Sequence, residues 1–181
     1  SRVKICDDAY APVQTLIEEL QNMTGAPVKI VAGGTPTFPV HAKRDNVELS
    51  PGTTLLWDYG YGTSFSDMNF LHAAVLFTRI VSKPSQNALC LDLGHKAVGS
   101  EMPQPRIKII GMEDFRITGH NEEHMVIETD NAGKISVGDH LYAIPYHICP
   151  TVDRYDTVYV AEDNRVTCQW SVRARNRKIT V

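Results

Sequence analysis

A chain of 181 residues, 43% apolar and 22% charged, carries enough hydrophobic content for one domain or two small ones. Its net charge of -3 and pI near 6.1 give no electrostatic reason to expect nucleic acid, although Arg173, Arg175, Arg177 and Lys178 make the tail locally basic. No run approaches the ~18 apolar residues of a membrane span. The first eight residues lack a secretory signal, and Cys6, Cys90, Cys149 and Cys168 are too scattered for a disulfide scaffold. A cytoplasmic protein with reduced thiols is expected.

Leu16, Ile17 and Leu20 at helical spacing, with Pro12 near the start and Gly25 just past the end, predict a helix over residues 11–23. That pattern begins close to a first residue that is not methionine, so a fragment or processed piece is expected. Residues 28–32 read as a short buried strand running into Gly33-Gly34-Thr35-Pro36-Thr37. A strand that closes on glycines and hydroxyls exposes backbone N–H groups able to cradle a phosphate, but the same residues also suit an ordinary loop. Residues 48–52 read as a turn and 53–58 as a second buried strand ending at Tyr59, Gly60 and Tyr61. Helix, strand, loop and strand at this spacing suit the α/β alternation of a barrel or doubly wound sheet, whose functional residues gather at strand C-termini.

From about residue 70 the pattern changes. Strand-like runs at 73–81, 88–93, 106–112, 124–128, 140–144, 157–161 and 165–172 alternate with turn residues, which indicates an antiparallel β barrel or sandwich appended to the α/β part. Asp163-Asn164 reads as a hairpin turn. Two polar clusters, Asp92 with His95 and Lys96, and Glu122-Glu123-His124, precede or follow strands. Each suits surface turn chemistry, or acid/base and ligand-orienting roles.

Beyond the run at 140–144 comes Pro145-Tyr146-His147-Ile148-Cys149-Pro150. On extended backbone, residues i and i+2 share a face, so His147 and Cys149 could offer a nitrogen and a sulfur to one ion. Imidazole and thiolate suit a borderline-soft divalent metal, and two protein ligands leave positions open, as catalytic zinc requires. A closed structural site would need more ligands, drawn from His124 and His95. A short His-x-Cys also arises by chance, with the cysteine a small hydrophobe.

Taken in order, Gly33-Gly34-Thr35-Pro36-Thr37, Glu48-Leu49-x-Pro51-Gly52 with Asp58, Leu91-Asp92-x-Gly94-x-Lys96-Ala97, Glu122-Glu123-His124, Gly138-Asp139 and Ile144-Pro145-Tyr146-His147-Ile148-Cys149-Pro150-Thr151-Val152 are landmarks. With them the chain resembles the C-terminal half of the D-threonine aldolase and D-serine dehydratase family, pyridoxal-phosphate enzymes of the alanine-racemase-like fold. The resemblance implies that residues 1–65 are the C-terminal part of a (β/α)8 TIM-type barrel and residues 66–181 a β domain closing over the cofactor. It assigns the cofactor phosphate to Gly33, Gly34 and Thr35, with Tyr59 or Tyr61 a further contact. It makes His147 and Cys149 the catalytic ligands of a divalent metal, zinc or manganese.

The activity so implied is metal-dependent cleavage of a D-3-hydroxy amino acid, with the ion on the substrate's β-hydroxyl. Aldolases of the family often carry Asp where this chain has Cys149, and the dehydratases carry His-x-Cys. Pro-Thr-Val after the pair and His-Lys-Ala after Asp92-x-Gly94 lean toward the aldolase. D-serine dehydratase is the alternative; a non-catalytic metal-binding or interaction domain, and a racemase using Tyr142 or Tyr146, are others. The family's Schiff-base lysine lies early in the barrel and no lysine of this chain matches it. The chain alone is therefore expected to be inactive, in want of an N-terminal barrel half, and the complete enzyme to be a homodimer.

Overall fold

The computed structural model describes residues 1–178, which fall into two compact units, one over Ser1–Leu55 and one beginning at Leu56. In the first unit, α1 (Arg2–Thr24) ends as expected at Gly25, whose φ of 65° lets its N–H close on the Gln21 carbonyl at 2.9 Å. Its start is different. The helix begins at Arg2, with the Ser1 hydroxyl accepting from the Lys4 N–H at 3.5 Å, and Pro12 lies inside it. Burial of Cys6 and Tyr10 beside His41 holds the turns before Pro12 helical, a tertiary gain that outweighs the missing N–H. Of the expected apolar face, Ile17 is buried while Leu16 and Leu20 are exposed.

Strand β1 (Ile30–Gly33) pairs in parallel with β2 (Val47–Ser50), Ile30 opposite Val47 and Gly33 opposite Ser50, with α2 (Phe38–His41) between them in sequence. The second strand is thus Val47–Ser50, not residues 53–58. Residues Thr53–Leu55 form a 3-10 turn with Leu55 79% exposed, and Trp57 adopts φ 51°, which no strand accommodates.

The second unit starts with α3 (Tyr59–Ser64), capped by the Asp58 side chain on the Tyr61 N–H at 2.9 Å. Six antiparallel strands follow: β3 (Leu76–Ser85), β4 (Ala88–Leu91), β5 (Ile107–Ile109), β6 (Arg116–His120), β7 (Met125–Glu128) and β8 (His140–Pro145), in the order β5-β8-β3-β4-β7-β6. Period-two alternation sends Leu76, Thr78 and Ile80 inward from β3 while Phe77 and Arg79 point out, and β7 buries Met125 and Ile127. These join Leu89, Leu91, Ile107, Ile109 and Ala143 in one core. The β-rich expectation for this half is realised as one curled sheet, followed by α4 (Ile148–Val152) and a separate hairpin of β9 (Thr157–Glu162) and β10 (Arg165–Ser171). Asp163 and Asn164 turn that hairpin with φ of 49° and 61°, the paired left-handed geometry such residues tolerate. Trp57 is 1% exposed, whereas Trp170 on β10 is 62% exposed. Among the described residues no helix is long and apolar enough to cross a membrane.

Candidate metal centre

Strand β8 stops at Pro145, and the chain then turns into α4 under several tethers. The Tyr146 N–H donates to the Arg106 carbonyl at 2.8 Å, and the Tyr146 carbonyl accepts from the Gly60 N–H at 2.9 Å. Only glycine fits at position 60, because a Cβ there would lie 2.6 Å from that carbonyl oxygen. His147 is extended (φ -131°) and caps α4; its carbonyl accepts the Thr151 hydroxyl at 2.7 Å, and that hydroxyl accepts from the Gly99 N–H at 3.0 Å. The Ile148 N–H donates to Asp58 Oδ2 at 3.0 Å. Asp58 is 1% exposed, so one carboxylate fixes the starts of both α3 and α4.

The expectation that His147 and Cys149 share an extended strand is corrected here. Cys149 lies in the first turn of α4, and the pair straddles a strand-to-helix turn. Pro150 explains this, since a helix's first turn tolerates a residue without N–H and with φ fixed near -65°. The Cys149 side of the turn is exposed. Burial, then the charges of Asp58 and Cys149, raise the Tyr61 hydroxyl above the ordinary tyrosine value.

The His147 ring is held by Glu101, with Nδ1 to Oε1 at 2.5 Å. Burial works against ionisation of Glu101, but its own backbone N–H, the His147 ring and the charges of His147 and Arg154 together hold the carboxyl below its ordinary range. Nothing in the sequence near Glu101 flags this role, which spans 46 residues. Among the described residues no group of three or more His, Cys, Asp and Glu side chains is arranged to hold a metal. The His147 imidazole and the Cys149 thiol are the two donor side chains of this turn, and nitrogen with sulfur is a donor chemistry that suits a borderline-soft divalent ion.

The polar clusters flanking β4 and β7 are spent on each other. The His95 and Lys96 N–H groups donate to the carbonyls of Asn121 and Glu122, and the Lys96 ammonium pairs with Glu122 at 3.1 Å and Glu123 at 2.5 Å. A Cβ on Gly94 would stand 2.1 Å from the Glu122 carbonyl oxygen, so this docking requires glycine. Asp92 accepts from the Thr78 hydroxyl at 2.8 Å and the Arg79 N–H at 2.7 Å; burial works against its ionisation, but these bonds and the Arg79 charge hold it low. His95 packs edge-on against His120 with ring centroids 4.3 Å apart, and Arg106 donates to His120 Nδ1 at 2.9 Å. Burial, then the charges of His95 and Arg106, push His120 down to about 4. His124 is exposed, its carbonyl accepting the Asn121 N–H.

Gly33, Gly34 and Thr35 belong to the first unit. Gly34 takes φ 90°, the Thr37 hydroxyl donates to the Gly33 carbonyl at 2.6 Å, and the buried Thr35 hydroxyl accepts the Thr53 N–H at 3.1 Å. Tyr59 and Tyr61 lie on α3 of the second unit, Tyr59 edge-on to Tyr146 and Tyr61 against Trp57 and Phe65. The structure thus gathers His147, Cys149, Tyr61, Asp58 and Glu101 around one turn.

Residues 73–161 match the family described as "Putative serine dehydratase domain". The chain is 26% identical over 178 residues, 96% of its length, to D-threonine aldolase of an Arthrobacter species, and spans 46% of that relative, about half its length. An uncharacterized protein of Mycobacterium tuberculosis is 31% identical over 116 residues, 62% of this chain and 87% of the relative. The D-threonine aldolase structure from Filomicrobium marinum shares the fold with a TM-score of 0.75 at 20% identity, covering 88% of this chain and 44% of that one. D-threo-3-hydroxyaspartate dehydratase from a Delftia species does so at 0.67 and 20% identity, over 84% and 46%. Structures described as D-threo-3-hydroxyaspartate dehydratase have also been solved with a histidine, and with a cysteine two positions further on, replaced by alanine, the cysteine variant in a metal-free form. On these matches the chain belongs to the D-threonine aldolase and D-serine dehydratase family.

Proposed function

We propose that the chain forms the C-terminal half of a pyridoxal-phosphate- and divalent-metal-dependent lyase that cleaves D-3-hydroxy amino acids, as D-threonine aldolase does, to glycine and an aldehyde. The observation that carries this is the His147–Cys149 turn, whose main chain is pinned by Asp58 and Thr151 and whose His147 ring is held by Glu101. Such pre-positioning is what metal chemistry needs.

On this reading, His147 and Cys149 hold the ion, zinc or manganese. When bound, the ion supplies a Lewis acid that lowers the pKa of the substrate's β-hydroxyl. Gly33, Gly34 and Thr35 would hold the cofactor phosphate, and Tyr59 or Tyr61 would be a further cofactor contact; when bound, the pyridinium ring supplies an electron sink for charge developing at Cα. Gly34 in the left-handed region, φ 90°, is the backbone feature that supports this, since glycine-rich turns can aim main-chain N–H groups at a phosphate. Residues 1–65 then finish a (β/α)8 barrel, and the rest is the metal-bearing domain. The parallel pair β1 and β2 supports this: Val31 is 57% exposed and Leu49 37%, whereas parallel strands are stable only when both faces are covered. Further strands of the same barrel, one of them bearing the Schiff-base lysine, would cover them. The complete enzyme is proposed to be a cytoplasmic homodimer.

Dehydration of D-serine to pyruvate and ammonia is the second reading. It is favoured by Cys149 at the second donor position and by the matched domain over residues 73–161. Assay of the full-length protein, loaded with cofactor and given D-threonine or D-serine with and without chelator, decides between them. Glycine and acetaldehyde, lost with chelator, support the aldolase; pyruvate, lost with chelator, supports the dehydratase. Turnover that survives chelator, or the double change of His147 and Cys149 to alanine, overturns both.

A further inference from the structure

We propose that Glu101 is the positioning residue of this centre, accepting the Nδ1–H of His147 so that Nε2 is presented unprotonated as the ligating nitrogen. The proposal rests on the reading that His147 and Cys149 hold a divalent ion. A carboxylate only accepts hydrogen bonds, so the ring nitrogen 2.5 Å from Glu101 Oε1 must carry a proton. A neutral imidazole has one N–H, and the other nitrogen then bears the lone pair a metal requires.

The loop around Glu101 is built to hold it there. On one side the Gly99 N–H donates to Thr151 Oγ1, and a Cβ at position 99 would meet Pro150 at 2.9 Å and Glu101 Oε2 at 3.1 Å, so the loop lies against α4 at its closest tolerable approach. On the other side Arg106 Nε donates to the Met102 carbonyl at 2.9 Å, while the Arg106 carbonyl accepts the Tyr146 N–H, next to His147 itself. The far end of that guanidinium is anchored on His120 of β6. Arg106 therefore fixes the loop that carries Glu101 and the strand end that carries His147 with one side chain and one carbonyl. An incidental surface ion pair would not need this scaffolding.

The test uses the full-length protein, wild type against E101A, E101Q and H147A. With histidine labelled in nitrogen and the protein metal-free, at a pH where imidazole is neutral, NMR should show His147 as the Nδ1–H tautomer in wild type and a shift toward Nε2–H in E101A. Zinc affinity, measured by competition with a chromophoric chelator, should fall about 10–100-fold in E101A and less in E101Q, which keeps an acceptor. Equal affinity of wild type and E101A, with H147A weak, overturns the role of Glu101 alone, as does zinc found on Nδ1 or on the Glu101 carboxylate. Equal failure of wild type and H147A to take up zinc overturns the metal reading beneath it.

Discussion

Asp58 and Ile148, ninety residues apart in the chain, are joined by a 3.0 Å hydrogen bond from the Ile148 N–H to the Asp58 carboxylate, in the residue between the two metal-donor candidates. Asp58→Ala removes this acceptor and the cap of α3 together. A lost cap costs about 0.5–2 kcal/mol and a stranded buried donor about 1–3, so a loss of roughly 2–4 kcal/mol is expected by denaturant titration. Zinc uptake should weaken in step, and an unchanged midpoint would refute the clamp.

Gly94→Ala should destabilise the second unit by at least ~1–3 kcal/mol, because the added carbon meets main-chain atoms of Glu122 and Glu123 that have no free rotor to yield. Gly111→Ala is the useful contrast. Nothing lies within 4 Å of its Cβ, and its cost should come only from φ 78°.

Ile127→Ala, in the middle of the core and fully buried, should cost about 2–5 kcal/mol by the same titration. A change at exposed Val137 should fall within ~0.5 kcal/mol.

The depressed His120 predicts acid sensitivity. Its folded value of about 4 lies below the unfolded 6.5, so between these limits the unfolded chain binds more protons and stability falls as pH drops from 6.5 toward 4. His41, lowered by burial and then by Arg44, adds a contribution of the same sign in the first unit. Replacing His120 with glutamine should flatten the pH slope in this window, and an unaltered slope would count against the cause. The low carboxyls of Glu101 and Asp92 act in the same sense but at more acid pH.

The antiparallel strands were legible because period-two alternation and turn residues are local signals, and the αL glycine ending α1 is local too. Residues 53–58 carry the apolar run of a buried strand in Leu55, Leu56 and Trp57, while the positive φ at Trp57 that forbids one has no letter of its own. Asp58 ahead of Tyr59 is a readable helix cap, and it marks residues 56–58 as a helix entry rather than a strand end. His147 and Cys149 stood out by residue type alone. Glu101, Arg106 and His120 did not, since each acts through contacts between elements far apart in sequence, where a lone charged residue reads as ordinary surface.

The chain's two tryptophans occupy opposite surroundings, Trp57 sealed at 1% exposure beside Asp58 and Trp170 at 62% on the outlying hairpin. That contrast makes the molecule its own optical gauge. Emission that resists an aqueous quencher reports on Trp57 and thus on the segment leading into the Asp58 clamp, while the quenchable fraction follows the hairpin. Loosening near the centre can in this way be told from fraying of the periphery without attaching a label.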